Sequence, residues 1–111
     1  MSITIKGTGC LVPVAPVPDA ILALAYPCFT VEEAPDGGLW LTLSPYLEVY
    51  DEDAVQAFLR NLIPYIGSGK IDCSLQIAPG HIVEWSYRFS GQDCFRSHRS
   101  GSCTAITYIN R

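Results

Sequence analysis

Residues 70–77 alternate strictly between polar and apolar side chains, and this pattern most limits what the chain can fold into. The apolar members are Ile71, Cys73, Leu75 and Ile77. A period of two is typical of a strand with one buried and one solvated face. After the turn-forming sequence Ala78-Pro79-Gly80-His81, residues 82–89 repeat the alternation. We therefore predict a β-hairpin whose second strand places Val83, Trp85, Tyr87 and Phe89 on one face.

An amphipathic helix is predicted just before this hairpin. Asp51 is a good N-cap residue, and Glu52 and Asp53 suit the positive end of the helix dipole. Apolar residues then recur at three- and four-residue spacing in one stripe, which consists of Val55, Phe58, Leu59, Leu62, Ile63 and Ile66. Pro64 is expected to kink or end the helix, and Gly67 is a plausible C-terminal stop of the helix.

The first part of the chain predicts shorter elements. Residues 2–6 alternate as a strand that ends at Gly7-Thr8-Gly9, and residues 11–17 form a proline-spaced connection. Asp19 can cap a short helix over residues 20–25, for which a buried strand is the alternative.

Two further hairpins are predicted from turn chemistry and β propensity. Residues 29–34 and 39–44 flank Pro35-Asp36-Gly37-Gly38, where proline presets φ and glycine tolerates a positive φ. Residues 94–98 and 103–109 form a last hairpin about residues 99–102.

The order of these elements predicts an α+β fold in a single domain of residues 1–111. We expect a mostly antiparallel sheet of five to seven strands with one main amphipathic helix packed on one face. A chain of this length supports one core without a disulfide or metal. The opposite sheet face, which would include Trp40 or Tyr108, is expected to be partly open.

A cytoplasmic location without membrane contact is expected. The first residues lack a basic start followed by an apolar run, and the most apolar stretch, residues 20–25, is far shorter than the ~20 residues of a membrane helix. The five cysteines are an odd number without a secretion signal, which favours free thiols.

Charge is distributed unevenly along the chain. Residues 1–53 hold eight acids and one base, whereas residues 54–111 hold three acids and six bases, within a net charge of −4. Such an uneven charge distribution affects which partners a protein binds and how fast it associates with them. We predict that the acidic half meets a target protein with a basic surface, with Trp40 as a buried contact. The predicted contact residues are Glu32, Glu33, Asp36, Trp40 and Glu48. The alternative is a solvated acidic surface with ordinary helix capping.

No motif identifies a family, but size, acidity and α+β character together resemble those of two broad classes. One is the bacterial immunity proteins that neutralise toxins. The other is the small phage-encoded inhibitors of host defence, including anti-CRISPR proteins. The resemblance implies a binding protein that covers or mimics a basic, nucleic-acid-facing site on its target.

Two other functions are alternatives. Arg96, His98 and Arg99 lie in a predicted loop that could bind phosphate, a nucleotide or RNA, although the net negative charge argues against broad direct nucleic-acid binding. Only 16% of residues are charged, against about 25% in typical domains. This low fraction also suits a homodimer or another homo-oligomeric structural component.

No catalytic signature is present, so we predict no enzyme, cofactor or metal. Cys94, His98 and Cys103 offer three zinc ligands, but a structural site needs four and usually a short Cys-Cys pair. A thiol nucleophile could be drawn from Cys94 with His98 and Asp93, or from Cys73 with His81. Residues 94 and 98 of a strand share a face but lie too far apart for direct contact.

Overall fold

A computed structural model describes residues 3–110, without the side chains of Ala78 and Ser100, and confirms the α+β prediction. Seven antiparallel strands form one sheet in the order β2-β3-β1-β4-β5-β6-β7. The strands are β1 (Thr4–Pro13), β2 (Phe29–Glu33), β3 (Leu39–Leu43), β4 (Ile66–Ala78), β5 (His81–Ser90), β6 (Asp93–Ser100) and β7 (Cys103–Tyr108). The helices are α1 (Asp19–Leu22) and α2 (Glu52–Leu62), which continue as 3-10 turns over Ala23–Ala25 and Ile63–Tyr65, and a further 3-10 turn spans Leu47–Val49.

One face of the sheet is covered by α2 because the helix carries a single apolar stripe. Val55, Phe58, Leu59 and Leu62 are all buried. They join one core cluster with the inward residues of the central strands, and the rings of Phe58 and Phe29 lie 6.0 Å apart. The inward residues are Ile5 and Leu11 of β1, Leu39, Leu41 and Leu43 of β3, Ile71 and Cys73 of β4, and Trp85, Tyr87 and Phe89 of β5. The predicted hairpin faces and the first four residues of the predicted stripe are therefore confirmed, whereas Ile63 lies in the closing 3-10 turn and Ile66 begins β4.

The prediction that the first strand ends at Gly7 is wrong. β1 runs on to Pro13 and pairs with both β3 and β4. Gly9 permits this central position, because a Cβ atom there would lie 2.3 Å from the carbonyl oxygen of Lys70 and 2.5 Å from the Cα of Ile71. Gly7 and Gly9 therefore allow close packing within the strand rather than marking a turn.

The prediction that Gly67 is the C-terminal stop of the helix is also wrong, because β4 already begins at Ile66. The helix itself ends as predicted, with Pro64 in the closing 3-10 turn. The short first helix is present in place of the alternative buried strand. The hairpin of β2 and β3 turns at Pro35–Gly38, with Gly37 at a φ of 90°.

The other face of the sheet is open to solvent over residues 3–110. Cross-strand partners share a face, and the register places one row across the whole sheet on this side: Glu32, Trp40, Cys10, Lys70, Arg88, Phe95 and Tyr108. Trp40 is 46% exposed and Tyr108 40% exposed. This uncovered side, which we call the open face, confirms the expectation drawn from Trp40 and Tyr108.

The N-cap of α2 offers a direct test of the helix start. Asp51 Oδ1 accepts hydrogen bonds from the backbone N–H groups of Asp53, at 3.0 Å, and Ala54, at 3.4 Å. We expect Asp51→Ala to lower the free energy of unfolding by about 1 kcal/mol, because two amide groups lose their acceptor. Urea denaturation measures the change. Asp53→Ala is the control, since this neighbouring exposed carboxylate caps nothing; equal losses in both variants would contradict the cap.

Candidate functional site

Four of the five predicted contact residues lie together at one end of the hairpin of β2 and β3. We call Glu32, Glu33, Asp36 and Trp40 the acidic hairpin end. Glu32 and Trp40 are cross-strand partners on the open face, whereas Glu33 pairs with Leu39 and faces the helix side. Asp36 lies in the turn, where its Oδ1 accepts the N–H of Gly38 at 3.0 Å. The three carboxylates thus surround the hairpin end, while Trp40 lies on the open face.

No lysine or arginine of residues 3–110 forms a recorded ion pair with these carboxylates. Among residues 3–110, the two recorded ion pairs are Lys70–Asp72 and Arg96–Glu52. All four residues of the acidic hairpin end are exposed. Their charge is therefore available to a partner rather than neutralised within the chain.

Glu48 lies at the other end of β3 from the hairpin turn, in the 3-10 turn Leu47–Val49. A five-residue strand separates the two, a distance of about 13 Å. Glu48 therefore lies apart from the acidic hairpin end. Of the aromatic residues near Glu48, Tyr46 is 63% exposed, whereas the hydroxyl of Tyr50 is bonded inside the molecule.

The three residues predicted to bind phosphate do not converge. They belong to strand β6 rather than to a loop, and the turn is formed by Gly101 and Ser102. The register sets Arg99 beside Glu84 and Thr104 on the open face, but Arg96 beside Tyr87 on the helix face. His98 lies on the helix face beside Trp85. Alternation along a strand therefore separates Arg99 from the other two.

Arg96 instead belongs to a polar cluster at the margin of α2 that the sequence did not predict. The cluster consists of Tyr50, Glu52, Trp85, Tyr87 and Arg96. Arg96 Nε lies 2.7 Å from Glu52 Oε1, and its guanidinium stands 5.5 Å from the centre of the Trp85 ring. The Nε–H group is not aligned on that oxygen, so the contact is an ion pair rather than a directed hydrogen bond.

The hydroxyl group of Tyr87 is the centre of this cluster. It donates to Glu52 Oε2 and accepts from Trp85 Nε1 at 3.1 Å. The hydroxyl of Tyr50 lies 3.0 Å away, and it must be the donor because Tyr87 has already given its one proton to Glu52. Tyr87 thus makes three hydrogen bonds from a fully buried side chain.

Burial dominates the acid–base properties of the cluster. It raises the pKa of Tyr50 to about 12, aided by the charge of Glu52. It raises the pKa of Tyr87 as well, and the hydrogen bond to Glu52 adds to the effect. Burial alone would lower the pKa of Arg96, but Tyr87 and Glu52 outweigh it and the pKa rises. At neutral pH the cluster therefore holds protonated tyrosines and a charged arginine.

All five cysteines are free thiols, and only Cys10 and Cys103 are exposed. Burial raises the pKa values of Cys73 and Cys94 to about 12, with the charge of Glu52 adding to the effect at Cys73. Such thiols are protonated at neutral pH and are poor nucleophiles. No group of three potential metal-ligating side chains occurs in residues 3–110.

A shallow polar hollow of about 320 Å³ lies in the open face. Short side chains on β5 and β6 create the space, and charged groups surround it. Its lining includes Asp72, Glu84, Ser86, Ser97, Arg99 and Thr104. The mixture of charges gives the hollow no strong preference for an anion or a cation.

Comparison of the chain with protein-family models, curated protein sequences and solved structures gives no match. Within the described residues, no helix has both the length and the apolar character needed to cross a bilayer.

The polar cluster can be tested through its central hydroxyl. We expect Tyr87→Phe to lower the free energy of unfolding by about 1–3 kcal/mol, because Trp85 and Tyr50 lose their acceptor and Glu52 loses a donor. Denaturant unfolding followed by tryptophan fluorescence measures it. Tyr26→Phe is the matched control, since Tyr26 is 84% exposed. If the two variants unfold at the same midpoint, the cluster contributes no stability.

Proposed function

We propose that this chain is a small protein-binding protein whose contact surface is the acidic hairpin end and whose partner is a protein with a basic surface. The observation that carries the proposal is the exposed ring of Trp40 beside carboxylates that have no cation of their own in residues 3–110. Aromatic residues concentrate binding energy at interfaces, and unpaired charges speed encounter with an oppositely charged surface.

The hairpin supplies the rigidity that such a contact needs. Trp40 lies on β3, which pairs with β2 on one side and with β1 on the other. Its neighbours Leu39 and Leu41 are buried in the core, so its backbone cannot shift independently. A rigid aromatic side chain loses little conformational entropy on binding.

The partner chemistry follows from the charges. Three carboxylates at a hairpin end can occupy the positions of phosphates on a nucleic-acid-binding target, as the resemblance to immunity proteins and to phage-encoded inhibitors implies. We propose an inhibitor of this kind, which would cover a basic site. Glu48 lies outside the acidic hairpin end and is not needed for the contact.

The proposal is tested with two double variants of equal net charge. E32K/E33K reverses two charges in the acidic hairpin end. D19K/D53K reverses two charges in the first turns of the two helices. In the first step, a tagged form of the protein is used to capture binding proteins from a cell lysate at low and at moderate salt. Surface plasmon resonance then measures association of the retained protein. We expect E32K/E33K to slow association about tenfold or more at low salt, with a much smaller effect of D19K/D53K.

Two controls accompany this measurement. Circular dichroism checks that both double variants fold, and Trp40→Ala is expected to speed dissociation rather than slow association. Equal association rates for the two double variants, or an affinity that does not change with salt, would overturn the proposal.

A second candidate is favoured by the distribution of bases. Four of the six lysines and arginines in residues 3–110 lie on the open face, namely Lys6, Lys70, Arg88 and Arg99. Lys70 and Arg88 stand in one row between Trp40 and Phe95, which four strand spacings place about 19 Å apart. Aromatic rings and bases on a sheet suit a single-stranded nucleic acid, although Asp72 and Glu84 on the same face oppose it.

Titration with a labelled RNA oligonucleotide at low salt decides this second candidate. If the open face is the site, binding is expected to weaken in K70A/R88A and to strengthen in E32K/E33K, because Glu32 lies on the same face and its replacement adds positive charge there. An absence of binding at low salt would remove it.

A further inference from the structure

Glu32 and Trp40 are the two residues of the acidic hairpin end that lie on the open face. They are cross-strand partners on β2 and β3, and both side chains are exposed. The N–H of Ala34 donates to the carbonyl of Gly38, two positions further along the same ladder. Because antiparallel ladders alternate bonded and non-bonded pairs, Glu32 and Trp40 are also a bonded pair, with Cα atoms about 5.5 Å apart. A carboxylate thus stands directly opposite an exposed indole side chain.

The chain itself brings no cation to this pair within residues 3–110. The first base along the same row of the open face is Lys70, and it forms an ion pair with Asp72 at 3.5 Å. No recorded ion pair or cation–π contact involves Glu32 or Trp40. The negative charge and the aromatic ring are therefore both left for a group from another molecule.

A guanidinium already occupies a combination of this kind inside the molecule. Arg96 Nε lies 2.7 Å from Glu52 Oε1, and the same guanidinium stands 5.5 Å from the centre of the Trp85 ring. A guanidinium can make both contacts at once, because it is planar, stays charged and is weakly hydrated. An ammonium group is a compact and strongly hydrated point charge, so it gains less from the ring.

We infer that Glu32 and Trp40 form a guanidinium-binding subsite, which holds an arginine side chain of the basic partner. The inference rests on the proposed function, and it names the chemistry by which the acidic hairpin end recognises its partner. The guanidinium lies on the indole ring of Trp40 and donates its N–H groups to the carboxylate of Glu32. Glu33 faces the helix side, so it adds only to the general attraction for bases.

The subsite also agrees with a target whose basic site binds nucleic acid. Arginine is the side chain that grips phosphate oxygens with two parallel N–H donors, and a carboxylate offers it the same pair of oxygens. The carboxylate of Glu32 then takes the position of a phosphate, and Trp40 takes the position of a stacked base. An arginine that contacts both is consequently withdrawn from its nucleic acid.

Oligo-arginine and oligo-lysine peptides of equal length and charge test the subsite. The indole N–H signal of Trp40 is followed by NMR of the ¹⁵N-labelled protein during titration with each peptide at the same ionic strength. We expect oligo-arginine to bind about two- to fivefold more tightly, which is the advantage of a cation–π contact at an exposed site. It should also shift the signal of Trp40 more than that of the buried Trp85.

Two neutralised variants form a matched pair for this titration. Glu32→Gln and Glu33→Gln each remove one charge from adjacent positions of β2, but on opposite faces of the sheet. Both should lower the affinity for the two peptides, since each weakens the general attraction. Only Glu32→Gln should also remove the preference for arginine, and Trp40→Leu should remove it without changing the charge. Circular dichroism checks that each variant is folded.

The outcomes separate the subsite from the proposed function. Equal affinities of the wild type for both peptides, or binding of neither, would overturn the subsite. An equal loss of the arginine preference in Glu32→Gln and Glu33→Gln would overturn it as well. The proposed function is decided separately, by the association rates of E32K/E33K and D19K/D53K with the captured partner.

Discussion

The packing of a single short helix against a wide sheet is the constraint on which the rest of the structure depends. α2 has eleven residues and is about 16 Å long, with a diameter of about 10 Å. Seven strands at about 4.8 Å spacing form a sheet about 29 Å wide. One helix can therefore cover the central strands of one face and nothing more. The open face and the exposure of the edge strand β7 follow from this geometry.

The polar cluster lies where that coverage ends, and its position explains its composition. Tyr87 is central enough to be fully buried, whereas Arg96, one strand further out, keeps a quarter of its side chain exposed. Glu52, in the first turn of α2, reaches both residues. A fully apolar cluster would expose hydrophobic surface at this margin, and an isolated buried charge would be costly. A paired carboxylate and guanidinium satisfy the tyrosine and also remain in contact with water.

Patterns of local period were read correctly from the sequence, and contacts between distant residues were not. The buried faces of residues 70–77 and of α2 can be predicted from the sequence, because each pattern depends only on residues a few positions apart. The sequence does not show the role of Gly9, because glycine is common both in turns and at close contacts, and only the position of Ile71 opposite it distinguishes the two. The hydrogen bond from Tyr87 to Glu52 joins residues 35 positions apart, so no local sequence pattern predicts it. The sequence likewise predicts one loop for Arg96 and Arg99, whereas both lie in β6 and the strand period places them on opposite faces.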